Sequence, residues 1–160
     1  QDFDIKNGGQ NGRWYIGNQA QSGVVVFDPA TEQFEFHSPP GGGEMVDVSA
    51  SHVDGKAWRA EAAPIAGGAV HQIDLATWEA VTIKGTNERP LYGYDVAADS
   101  KNNLYGSARG ARYVWRVDAK TREVKLCTVW SAETRDAENR PVRNQGSVTY
   151  TASIESAANR

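Results

Sequence analysis

A short element, Asp-x-x-Thr, occurs three times in this 160-residue chain, starting at Asp28, Asp74 and Asp118, at intervals of 46 and 44 residues. Each copy follows a short apolar-rich run: Val24-Val25-Val26-Phe27, Val70-His71-Gln72-Ile73 and Val114-Trp115-Arg116-Val117. Each is followed by a second run: Phe34-Glu35-Phe36, Ala80-Val81-Thr82-Ile83 and Val124-Lys125-Leu126. Upstream, an aromatic residue (Trp14, Trp58, Tyr105) follows Asn11-Gly12, Asp54-Gly55 and Asn102-Asn103. A period in this range, with two-residue alternation and no 3.6-residue stripe, excludes helical repeats and predicts the blades of a β-propeller.

The expected fold is therefore all-β, a partial β-propeller of four-stranded antiparallel blades. The second repeat predicts strands at 45–50, 56–60, 69–74 and 78–83. Asn, Asp and Gly in the first hairpin of each unit tolerate the positive φ of tight turns. The Asp of Asp-x-x-Thr accepts backbone N–H bonds just ahead of it, which makes it a turn former and not a catalytic group. Trp14, Trp58 and Tyr105 are expected to occupy one equivalent position and to fill space between blades. Blades are expected at 1–42, 43–88 and 89–130, with Phe3-Asp4-Ile5 as the first inner strand. Gly41-Gly42-Gly43 reads as an inter-blade linker. Residues 131–160 are expected to form a polar tail, with Val148–Ile154 as a first strand of a fourth blade. Three blades do not close a ring, since complete propellers have about four to eight. Closure is expected from a longer protein or from a second copy of the chain, a homo-oligomer.

Composition narrows the function. The net charge of −3 comes without a basic stripe, so nucleic acid is not an expected partner. No apolar run approaches the roughly 20 residues of a membrane span, so no membrane partner is expected. The single cysteine, Cys127, cannot form an internal disulfide and is expected half-buried in a strand. A chain with one cysteine that opens on Gln1 and not Met fits export, to the periplasm or outside the cell.

Binding residues are expected at one end of the channel, in the loops before the first and after the second strand of each blade. Arg59, Tyr92, Tyr94 and Arg109 lie there, with Glu44, Glu61, Arg89 and Arg112. Arginine with tyrosine suits a small-molecule or protein ligand that is polar or acidic and partly aromatic. Asp47 and Asp95, with Asp4, take equivalent places on the inner strands. They either hold a hard cation or bond neighbouring backbone N–H groups. His37, His52 and His71 share no blade position and are expected to be structural.

The aromatic second strands, the Asp-x-x-Thr turns and the stretch Tyr92-Gly93-Tyr94-Asp95-Val96-Ala97-Ala98-Asp99-Ser100-Lys101-Asn102-Asn103 together resemble the streptogramin (virginiamycin B) lyase-like propellers, over roughly residues 3–126. That resemblance implies a carbon–oxygen lyase that opens a cyclic ester or depsipeptide by elimination, with magnesium as the cofactor. Its motif of Pro-His-x-Ile, Asp-Gly and Trp-Phe-Thr-Glu is matched by Asp54-Gly55 and Trp58-Arg59-Ala60-Glu61. Glu61 takes the motif's catalytic Glu position, and Asp47 stands where the motif has its His. The catalytic set is thus incomplete. The resulting expectation is a ligand-binding propeller module, with the metal-dependent lyase or an inactive piece of a larger propeller as alternatives.

Overall fold

The computed structural model describes residues 12–18, 23–38, 45–50, 54–61, 67–93, 96–107, 113–128 and 138, with backbone alone for Asn18, 45–50 and Thr128. Among them are eleven strands and no α-helix. Strands β1 (Trp14–Asn18), β2 (Gly23–Asp28) and β3 (Gln33–His37) form the first sheet. The second contains β4 (Met45–Ala50), β5 (Lys56–Glu61), β6 (Ala69–Asp74) and β7 (Ala80–Lys84), in that order. The third contains β8 (Val96–Ala98), β9 (Leu104–Ser107), β10 (Tyr113–Val117) and β11 (Val124–Thr128). Every pairing is antiparallel between chain neighbours. The architecture is all-β, a partial propeller of up-and-down blades. Phe3–Ile5, Gly41–Gly43, His52 and Val148–Ile154 lie outside the described residues.

The Asp-x-x-Thr turns are built as expected. Asp74 Oδ1 accepts from the N–H groups of Ala76 and Thr77 at 2.9 and 3.1 Å. Asp118 Oδ1 accepts from Lys120 and Thr121, both at 3.0 Å. These N–H donors hold the Asp118 carboxyl at about 2, well below its ordinary value. The residue after the Thr completes the turn with positive φ in all three copies: Glu32 at 56°, Trp78 at 61° and Arg122 at 61°. Trp78 therefore belongs to the turn, and β7 begins two residues later than the sequence predicts.

Counting back from the turns fixes the equivalences between blades. Trp14 pairs with Phe27, Ala57 with Ile73, and Leu104 with Val117, each beside the turn Asp. Tyr15, not Trp14, thus matches Trp58 and Tyr105. A one-residue offset on a strand turns the side chain to the other face. Tyr15 is buried at the first junction, whereas Trp14 is 42% exposed. The first hairpin shifts likewise: Asn102 (φ 59°), not Asn103, takes the place of Gly12 and Gly55 (φ 79° and 69°).

Two apolar layers hold the blades together. Tyr15, Val24 and Val26 of the first pack on Ala57 and Ile73 of the second. Trp58, Ala60 and Val70 of the second pack on Leu104, Trp115 and Val117 of the third. Gly106 lets the Trp115 ring lie against the backbone, since a Cβ there would come within 2.2 Å of it. Cys127 is exposed, contrary to expectation. Its neighbour Leu126 turns toward the second blade, so Cys127 turns away from it.

Candidate functional site

One row of the second blade breaks the apolar pattern. Across its face toward the first blade, Arg59 pairs with His71 and His71 with Thr82. The equivalent rows are Ile16–Val25–Phe36 in the first blade and Gly106–Trp115–Leu126 in the third. Arg59 is 0% and His71 1% exposed. Buried ionisable groups need partners, and an apolar row would hold the fold more simply.

The partners come from the strand ends. Glu61 closes β5, its side chain 16% exposed, with Oε1 at 3.4 Å from His71 Nε2. It pairs with Met45, and the register then slips so that Asp47 faces Ala60, a bulge in β4 beside Glu61. His71 Nδ1 lies 2.9 Å from Thr82 Oγ1. With the Thr82 hydroxyl donating to Nδ1, the imidazole proton sits on Nε2 and points at the Glu61 carboxylate. The other tautomer would set two lone pairs against each other. The Nε2 contact falls short of hydrogen-bond geometry, so this buried N–H has capacity to spare.

Charge follows from burial. Desolvation, and then the Arg59 charge, push His71 down to about 4, so the imidazole is neutral at pH 7. Desolvation lowers Arg59 to about 10, opposed by Glu61, and the guanidinium stays charged. Desolvation also raises Glu61, against the Ala69 N–H and the Arg59 and Lys84 charges. The result is a buried cation, a neutral imidazole and a partly exposed carboxyl group.

The site residues expected from sequence separate in the structure. Glu61 and Arg59 come together, but Arg59 lies on a strand with no solvent exposure, not on a binding loop. Tyr92 is also buried, 7% exposed, and its backbone oxygen accepts from Trp115 Nε1 at 3.0 Å. Asp47 is placed by its backbone in β4 only. Tyr94 and Arg109, with Asp4, Glu44, Asp95 and Arg112, lie outside the described residues. His71 is the member that the residue pattern alone missed. Three steps inward from the Lys56–Asp74 pair reach Arg59 and His71, so the hairpin register would have found it. No three His, Cys, Asp or Glu side chains converge among the described residues. A carboxylate beside a buried guanidinium is a poor oxygen ligand for magnesium, so these residues do not fit that ion.

One solved structure to which the chain is similar is hydrazine synthase of Kuenenia stuttgartiensis, at 12% identity and a TM-score of 0.59. The match covers 73% of this chain and 32% of that one. What the likeness shows is the fold. No protein-family model and no curated protein matches the sequence. Kinship with the streptogramin lyase-like propellers thus has no family match behind it.

Proposed function

We propose that this chain is a β-propeller module that binds a small polar ligand at the channel end of its first blade junction, with Glu61 as the contact residue. The observation that carries this reading is the polar row Arg59–His71–Thr82, whose Arg59 and His71 are buried where the equivalent rows of both other blades are apolar. Arg59 and His71 are too buried to meet a ligand. They orient Glu61 and set its charge, and they are positioning residues. A ligand with an ammonium or several hydroxyl donors suits the carboxylate.

The test replaces the row by apolar residues, as the first blade has. Arg59→Ile with His71→Val removes a buried cation and a buried imidazole, and is expected to leave the protein folded, since the partly exposed Glu61 can still be solvated. Thr82→Val completes the variant. Binding is read by NMR against a panel of polyols and amines, with Glu61→Gln as the second variant. Binders that shift the Glu61 and His71 signals and are lost in both variants support the proposal. A row variant that unfolds, or binders indifferent to Glu61→Gln, would overturn it.

A second reading has one observation in its favour. A carboxyl raised by burial is a better proton acceptor near neutral pH, which is what an elimination next to an ester needs. Turnover of cyclic depsipeptides that is lost in Glu61→Gln would establish lyase chemistry, and no turnover across the panel would remove it.

A further inference from the structure

The two outward faces of the arc differ in chemistry. On the first blade, Trp14–Phe27–Phe34 and Ile16–Val25–Phe36 form two rows of one sheet face. Phe34 is 66% and Phe36 49% exposed. The aromatic rings form a continuous row, Trp14 edge-on to Phe27 at 5.6 Å and Phe27 stacked on Phe34 at 4.6 Å. The equivalent faces of the other blades, Ala57–Ile73 and Leu104–Val117, are buried, because each receives the preceding blade. The face is thus a receiving face, and none of the described residues covers Phe34 or Phe36. At the other end, the face of the third blade away from the second carries the rows Tyr105–Arg116–Lys125 and Ser107–Val114–Cys127, with Lys125 and Cys127 exposed and Ser107 buried. These are equivalent to Trp58–Gln72–Val81 and Ala60–Val70–Ile83, the face with which the second blade covers the third.

We propose that these faces meet between two copies of the chain, the third blade of one copy covering the first blade of the other. Cation–π attraction makes the match specific, as Arg116 and Lys125 meet an aromatic surface. Arg116 already lies 6.0 Å from the Tyr105 ring centroid, so the pair can dock as a unit. Within the chain, Gln72 donates to the backbone oxygen of Ala119, the residue after a turn Asp, at 2.8 Å. Arg116 stands in the place of Gln72, and Pro29 in the place of Ala119. The guanidinium therefore has a carbonyl to reach in the partner copy. Such a head-to-tail contact made twice closes a ring of six sheets, within the range of about four to eight blades.

The test uses the whole chain. Light scattering should give twice the chain mass, and Phe34→Lys with Phe36→Lys should give a monomer. Both positions are exposed, so the fold is not at stake. Lys125→Glu with Cys127→Glu should also give a monomer. Mixing the two variants restores one intact junction, and hence a dimer. Two aromatic faces pairing with each other would not be rescued by that mixture, and failure of rescue overturns the proposal. Cys127 gives an independent readout, because it takes the place of the packed Ile83. Its reaction with a maleimide should slow about tenfold in the dimer relative to the Phe34→Lys, Phe36→Lys monomer. A wild-type monomer at every concentration, or a dimer with Cys127 reacting at the monomer's rate, would also overturn it and leave the aromatic face to another polypeptide.

Discussion

At the scale of single residues, His71 has the largest consequence. Its pKa falls from an ordinary 6.5 to about 4 in the folded chain, through burial and then the Arg59 charge. The unfolded chain takes up a proton as pH drops through 6.5, and the folded one does not until about 4. Stability is therefore present above 6.5 and lost as pH falls toward 4, by up to about 3 kcal/mol from a shift of this size. Glu61 works in the opposite direction, since burial raises its pKa and favours its protonated form in the fold. Urea midpoints between pH 7.5 and 4.5 should fall in the wild type and fall less in His71→Gln. An equal slope in both would show that His71 is not the group responsible. The residue scale is also where sequence reading was weakest. Trp14 matches Trp58 by residue type, although it stands two residues after Gly12 and Trp58 three after Gly55. The hairpin pairing gives that place to Tyr15, and residue type could not reveal the offset.

Strands and turns were far more legible. The Asp-x-x-Thr element explains itself, because a carboxylate two and three residues ahead of N–H donors closes a turn by local chemistry alone. The second blade's strands begin where the alternation begins, except that Trp78 belongs to the turn. The left-handed residue after the Thr was not legible, since Glu32, Trp78 and Arg122 share no property that announces a positive φ. A left-handed non-glycine residue costs about 1–2 kcal/mol, and glycine loses part of that gain through its freer unfolded chain. Glu32→Gly should therefore stabilise the protein by roughly 0.5–1 kcal/mol. Arg122→Gly relieves the same backbone but removes the bond from Arg122 Nε to Gln72 Oε1, at 3.2 Å. It should gain less or lose stability. Chemical denaturation of both variants checks the order, and a larger gain in Arg122→Gly would show that the bond contributes nothing.

For the whole molecule, side-chain hydrogen bonds couple the second and third blades. Between the second and third blades, Trp58 Nε1 donates to the Asn102 backbone oxygen at 2.8 Å. Asn102 Nδ2 donates back to Asp54 Oδ1 at 2.7 Å and to the Lys56 oxygen at 3.0 Å. Gln72 adds its bond to Ala119 and receives one from Arg122. Asn102 is fully buried, so these bonds are shielded from water, where a lost partner is most costly. Across the first junction, the described residues show apolar packing and the His37 ring stacked on Trp78 at 3.6 Å. In a stack of repeats, stability is a sum of blade and junction contributions, and bonds across a junction couple the opening of the blades they join. Native-state hydrogen exchange should therefore give β5, β6, β9 and β10 one shared, high opening free energy. Asn102→Ala removes both side-chain bonds and leaves Asp54 and the Lys56 carbonyl short of a donor. It should cost about 1–3 kcal/mol and lower protection in both later blades together, leaving the first unchanged. If Asn102→Ala lowered protection in the first blade as much as in the others, the three blades would be one cooperative unit.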